Sequence, residues 1–406
     1  MKWIFGLIPI TLLGFALLTE FADGSGELAA AETPANLDNL PYLIRDDSSK
    51  DWVVDNFAGN STAGIVFYQG PAAEVGGLGG SSVTARPDGS VYINGNREVS
   101  PDGILRVIPS EDGWGQGMFW DDKEQAKYIL GNNCIRRAVK VDGKWQSKVL
   151  AGTPGKAGQP WKNDGPGKTA LIGSDLRGSH RTAAGVIYWM EGGNAAIRKF
   201  DKGLVTTLGF KFIDAPDNFQ LAMQGRMGPG EDDDSLLVAD GWNWVARRVN
   251  LKTLQVTNLA FMPNTRDQAK AQYAASIQKR FGTPIRWERA NRASNGAPVD
   301  GPALTHASCN SGIADVVYDP FYKAIWLEGP DATCLRWLKD GWVKTVVGAA
   351  RNGESWNFNG KGTPGEKAEM CWSHVCGVDG KGMVYFYAHS KPTNIWRTYN
   401  KKEVKP

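Results

Sequence analysis

Gly185-Val186-Ile187-Tyr188-Trp189-Met190, then Asn194-Ala195-Ala196-Ile197-Arg198-Lys199-Phe200, then Gly203-Leu204-Val205-Thr206-Thr207-Leu208: three short apolar-rich runs are separated by turns containing Gly or Asn. Short β-rich runs bounded by such turn residues read as antiparallel strands. The unit recurs at 82–105, 236–249, 313–346 and 377–397, and in weaker form at 128–152. Asp-Gly turns such as Asp88-Gly89, Asp102-Gly103 and Asp340-Gly341 join its strands and match the right-handed strand twist. Each copy therefore reads as a four-stranded sheet.

One such sheet cannot bury both faces, so neighbours must stack, and radial stacking of six copies predicts an all-β, six-bladed β-propeller. The last copy stops after three strands near Tyr399, and Trp52-Val53-Val54-Asp55-Asn56-Phe57-Ala58-Gly59 reads like the fourth strand at Lys148-Val149-Leu150-Ala151-Gly152. The expected ring spans 51–406 and closes by pairing its start with its finish, which protects the edge strands. Composition agrees. The 406 residues include 49 Gly and 16 Trp, as expected of many tight turns and large packed rings. Lys and Arg total 46 against 43 acidic residues, a balance that excludes a dedicated nucleic-acid binder.

Met1-Lys2 followed by an apolar run to Leu18 reads as an export signal, with Ala29-Ala30-Ala31 as the cleavage site. The expected layout is a signal peptide over 1–31, a linker over 32–50 and a secreted or periplasmic propeller. An uncleaved N-terminal anchor is the alternative, with no other membrane contact. Five cysteines would then enter an oxidising compartment. The preferred bridges are Cys309 with Cys334 and Cys371 with Cys376, leaving Cys134.

Val149-Leu150-Ala151-Gly152, Asp164-Gly165-Pro166-Gly167-Lys168-Thr169-Ala170, Val186-Ile187-Tyr188, Asn194, Ile197-Arg198-Lys199 and Val205-Thr206-Thr207-Leu208 together resemble one NHL repeat. Gly70-Pro71-Ala72-Ala73 and Asp300-Gly301-Pro302-Ala303 echo its Asp-Gly-Pro element, and Gly362-Thr363-Pro364-Gly365 does so loosely. The second unit along the chain lacks the element, and the first carries Glu98 where the repeat's Arg would fall. The resemblance covers nearly all of 51–406 and implies the propeller fold. It names no reaction, because the family serves binding as much as catalysis. Arg136, Arg198, Arg247, Arg336 and Arg397 recur with the repeat and read as structural.

Innermost strands are expected to begin near 82, 118, 182, 222, 313 and 375. Long excursions at 153–180, 260–312 and 349–374 then join successive blades on one face and wall the channel mouth. Tyr273, Ile277 and Phe281, closed by Gly282, predict one amphipathic helix over 266–281. All four histidines, His180, His306, His374 and His389, fall on that face, joined by Arg181, Gln224, Arg226, Asn310 and Trp372. Trp114, Trp120, Trp161 and Trp356 read as further loop rings able to stack on sugars or to pack between blades.

Two functions follow from this set. One is a secreted propeller binding a glycan or protein at the walled mouth. The other is a lyase or hydrolase of an acidic glycan, with Arg181 neutralising a carboxylate and His180 or His374 moving the proton. No cofactor motif and no metal-ligand spacing occurs. Glu231-Asp232-Asp233-Asp234 reads as a solvated turn, with a Ca²⁺ loop as its alternative.

Overall fold

The structure, a computed structural model, describes residues 40–59, 69–76, 78, 83–93, 97–108, 117–213, 225–262, 274–275, 278–279, 299–309, 313–328, 334–348, 362–370, 373–388 and 394–405. The chain forms six sheets around one axis, antiparallel throughout except where Lys211–Phe212 adds parallel to the outer strand of the fourth. β1 (Trp52–Ala58) belongs to the sixth sheet. Blade 1 holds β2 (Gly70–Pro71), β3 (Val83–Ala85), β4 (Val91–Ile93), β5 (Arg97–Val99) and β6 (Ile104–Val107). Blade 2 holds β7 (Gly117–Asp121), β8 (Ala126–Gly131), β9 (Cys134–Val141) and β10 (Lys144–Gly152).

Blade 3 holds β11 (Gly165–Pro166), β12 (Leu176–Arg181), β13 (Ile187–Glu191), β14 (Ala196–Asp201) and β15 (Leu204–Thr207). Blade 4 holds β16 (Lys211–Phe212), β17 (Met227–Pro229), β18 (Ser235–Asp240), β19 (Val245–Asn250) and β20 (Gln255–Ala260). Blade 5 holds β21 (Gly301–Pro302), β22 (Asp315–Asp319), β23 (Ala324–Glu328), β24 (Leu335–Lys339) and β25 (Trp342–Val347). Blade 6 holds β26 (Thr363–Pro364), β27 (Ser373–Val378), β28 (Val384–Ala388) and β29 (Ile395–Asn400).

β1 pairs antiparallel with β29, Trp52 opposite Asn400 and Val54 opposite Thr398, so the outer strand of blade 6 comes from the other end of the chain. The Gly-Pro elements β2, β11 and β21 and the Thr-Pro element β26 are a fifth strand, each added to the outer edge of its blade. Proline suits that place because an edge strand can do without one N–H. Blade 2, which lacks the element, is four-stranded.

A separate apolar cluster fills each gap between blades. Trp52, Trp326, Trp337 and Trp396 join blades 5 and 6, with the Trp52 and Trp326 rings 5.4 Å apart and edge-on. The gap between blades 1 and 2 is filled differently, by Tyr92, Trp120 and Trp145. There the fully buried Lys127 lays its ammonium 3.8 Å from the Trp145 ring centre. Burial pulls that amine down to about 8.

The recurring arginines are tie-rods. Arg198 is completely buried and donates to Glu191, Asp164 and the carbonyls of Leu171 and Asn163. Arg247 binds Asp240 at 2.5 Å, and Arg336 donates to the Ser308 carbonyl. In blade 1 the residue in this role is Arg97, 1% exposed and bound to the Leu78 carbonyl, so Glu98 does not mark a missing Arg. Arg136 and Arg397, by contrast, are only half-buried.

Residues 42–46, within the stretch expected to be linker, instead dock on blade 5. Ile44 N–H donates to the Asp300 carboxylate at 3.0 Å, and Asp46 N–H to the Thr345 carbonyl at 2.9 Å. Asp300 is fully buried and also accepts from the Thr345 hydroxyl.

The Cys309–Cys334 bridge is not formed, and among the described residues no disulfide occurs. Cys309 Sγ instead faces the Trp244 carbonyl at 3.5 Å, while Cys334 Sγ lies 3.9 Å from the Thr345 hydroxyl oxygen. Cys371 and the export segment lie outside the described residues, as does the Cys376 side chain. Of the 266–281 segment only 274–275 and 278–279 are described, with helical backbone. Among the described residues no helix is long and apolar enough to cross a membrane.

Candidate ligand-binding channel

The innermost strands β3, β7, β12, β17, β22 and β27 all run the same way along the axis. Each starts from a crossover at one pole and ends in a tight turn at the other. They surround a cavity of about 410 Å³ whose wall draws on all six blades and reaches the turn residues Arg86, Pro87 and Asp122. Small residues let these strands converge. A Cβ on Gly178 would stand 2.0 Å from the Met227 carbonyl oxygen, and one on Gly377 would lie 3.1 Å from Ala85 N.

The wall alternates apolar surface with ion pairs. Val83, Ala85, Val316, Val317, Val375 and Val378 supply the first. Arg86 supplies the best-defined pair: it lies 3.2 Å from Asp122 and 2.7 Å from Asp88, with its guanidinium 4.1 Å from the Trp120 ring centre. Trp120 Nε1 donates to the same Asp122 oxygen at 2.7 Å. Farther up the channel, Arg226 Nε sits 3.4 Å from Asp315.

Several expected site residues take other places. β12 begins at Leu176, so the excursion expected over 153–180 ends before it, and His180 and Arg181 are the fifth and sixth residues of the strand. They therefore stand at the turn pole, away from the crossovers. The physical reason is that an inner strand lining a polar channel lacks the apolar alternation that would reveal it. Both residues do line the cavity.

Arg181 is not available to a ligand carboxylate, because its guanidinium is held by Asp121 and Glu124. Burial pushes the Glu124 carboxyl up, but hydrogen bonds from Tyr128 and Arg137 and the Arg181 charge hold it below the usual range. His180 is kept below its ordinary value by burial, against the attraction of Asp233, whose carboxylate lies 4.0 Å from Nε2. A neutral imidazole thus faces the channel near neutral pH.

His306 is a correction. It follows β21 on the outer edge of blade 5, is 1% exposed, and has Nδ1 2.7 Å from the Thr305 hydroxyl, so it belongs to the blade and not to the mouth. His374 is the second residue of β27, toward the crossover pole, and so does not share a level with His180. Gln224, Asn310, Trp372 and His389 lie outside the described residues, as do Trp114 and Trp356.

Trp120 sits in inner strand β7 and not in a crossover loop. The acidic run 231–234 is also engaged: Glu231 with Arg248, Asp234 with Lys252, and Asp233 with the Ala183 N–H. Sequence reasoning missed Arg86, Asp122, Asp315 and Tyr318 as wall residues. Their signal was position alone, in or just after an inner strand.

No family model matches the chain, and no curated protein matches it. Solved structures do. An auxiliary nutrient binding protein from Bacteroides thetaiotaomicron VPI-5482 is 14% identical, with a TM-score of 0.57 over 86% of this chain and 76% of that one. One from Bacteroides ovatus ATCC 8483 gives 14% and 0.56 over the same shares. A Bacteroides thetaiotaomicron VPI-5482 protein of unknown function gives 14% and 0.55, again over 86% and 76%. At such identity the likeness establishes a shared six-bladed β-propeller fold.

Proposed function

We propose that this chain is an exported, NHL-like propeller that binds a neutral saccharide in its central channel, at the turn pole. The observation that carries the reading is the pairing of every described guanidinium in the cavity wall. Arg86, Arg181 and Arg226 each face a carboxylate, so the wall offers donors and acceptors side by side with little net charge. Adjacent hydroxyls of a sugar can donate to a carboxylate and accept from the neighbouring guanidinium at once. An anionic sugar would have to displace Asp122 or Asp315, so the acidic-glycan preference expected from the sequence is not favoured. A cavity of about 410 Å³ lies within the range of small-ligand sites, which favours a sugar-sized guest over a folded protein.

The N-terminal apolar run supports export to the periplasm or beyond. The nutrient-binding names of the structural neighbours support a binding role for this chain in the same sense.

A second reading, an enzyme acting on the bound glycan, draws on one observation: His180 lines the cavity with the Asp233 carboxylate 4.0 Å from its Nε2, and burial holds it below its ordinary value. Arg181 cannot act as the substrate clamp that reading first required. The two are separated by incubating the protein with neutral and uronate-bearing oligosaccharides and analysing products. Binding without turnover supports the first reading. Chain cleavage lost in His180→Ala supports the second.

A further inference from the structure

Trp161 lies far from the chemistry of the channel wall, in the loop that leads into β11, and is 64% exposed. Its backbone is left-handed, with φ +64°. That conformation is unfavourable for a bulky residue and persists only where the surroundings impose it.

Here they do. Trp161 N–H donates to the Thr207 hydroxyl at 2.9 Å, and that hydroxyl donates to Asp164 at 2.8 Å. Asp164 and the Asn163 carbonyl are both held by the buried Arg198. Asn163 closes the loop on itself: its N–H donates to the Gln159 carbonyl, and its side-chain oxygen accepts from Gln159 N–H at 2.9 Å. The far edge of the indole passes over Gly209, with Cη2 3.4 Å from where a Cβ would stand. A rigid loop thus holds one large ring out into water.

We propose that Trp161 is a second saccharide contact, on the outer edge of blade 3, stacking its indole face on the apolar face of a sugar ring. A ring fixed in advance loses little conformational freedom on binding. Gln159 and Lys162 on the same loop are exposed, as are Thr206 and Lys211 near in sequence to the Trp161 contacts Thr207 and Gly209, so the chain around the ring offers side chains that hydrogen-bond hydroxyls. The proposal does not depend on the channel reading. A polymer long enough to lie along the blade edge is its natural ligand.

The test is affinity electrophoresis through gels containing β-glucan, glucomannan or starch, with wild type, Trp161→Ala and Trp161→Phe. Retardation of the wild type by at least one of these, weakened about fivefold to tenfold in Trp161→Ala and largely kept in Trp161→Phe, is the expected result. Thermal melting of the variants should stay at the wild-type value, because the ring is exposed. Equal retardation of wild type and Trp161→Ala overturns the proposal. So does the absence of retardation by all three polymers. Calorimetry with short oligosaccharides reports the channel separately, so failure at one site is distinguishable from failure at the other.

Discussion

Replacing Arg198 with Met tests whether the recurring arginines hold the blades. Met keeps an apolar stem and removes four charge-assisted hydrogen bonds: to Glu191 and Leu171 from Nη1, and to Asn163 and Asp164 from Nη2. Glu191 is completely buried and would keep, among the described residues, the Trp189 indole N–H and the Asn194 amide as partners. Removing one member of such a buried pair leaves an uncompensated charge, which costs about 3–5 kcal/mol. The Thr207 hydroxyl and N–H remain on Asp164, so a value near the middle, about 4 kcal/mol, is expected. Urea unfolding followed by tryptophan fluorescence measures it. The double variant Glu191→Gln, Arg198→Met removes the stranded charge and should recover about 1–2 kcal/mol of the loss. A single-variant loss below about 1 kcal/mol, or strict additivity in the double variant, would refute the tie-rod reading.

Three further outcomes follow from the same geometry. Burial raises the Asp300 carboxyl from 3.8 to about 6, against the pull of Arg336. The folded state therefore holds that proton more tightly than the unfolded chain, and the stability it contributes is full below about pH 4 and lost as pH rises through about 6. Melting curves from pH 4 to 7 should show this decline in wild type and a flatter profile in Asp300→Asn; matching profiles would count against it. His180 titrates below 6.5, and Asp233→Asn should lower it further, read from the imidazole resonances by NMR; an upward shift contradicts the pairing. Gly178→Ala forces a Cβ against the Met227 carbonyl at φ +75° and should cost more than about 2 kcal/mol. Gly103→Ala, at φ +78° with open space around it, should cost about 1 kcal/mol; equal losses would show that backbone strain alone matters.

Legibility followed burial. β13, β18 and β23 pack between neighbouring blades, so their apolar runs stand out and the repeat could be counted from them. Four of the five fifth strands were visible as Asp-Gly-Pro echoes, although nothing in a dipeptide says that it pairs with an outer edge, and the remaining one, Lys211–Phe212, carried no such signal. The inner strands were the weak point. Leu176-Arg177-Gly178-Ser179-His180-Arg181 carries a single apolar residue because its later side chains line a polar channel, and no alternation marks its register. Moving that strand six residues earlier carried His180 and Arg181 to the opposite pole. Partners distant in sequence were equally hidden. Asp121 and Glu124, which neutralise Arg181, come from the preceding blade, and no spacing rule connects them.

The channel itself is tested most directly by isothermal titration of Trp161→Ala protein, in which only the central site remains, with neutral and uronate-bearing oligosaccharides of equal length. Saturable binding of the neutral sugar is expected, at least tenfold weaker for the uronate and at least tenfold weaker in Asp122→Asn, as loss of a charge-assisted hydrogen bond of about 1.5–3 kcal/mol requires. No heat with either sugar, or tighter binding of the uronate unaffected by Asp122→Asn, would contradict a neutral saccharide in this channel.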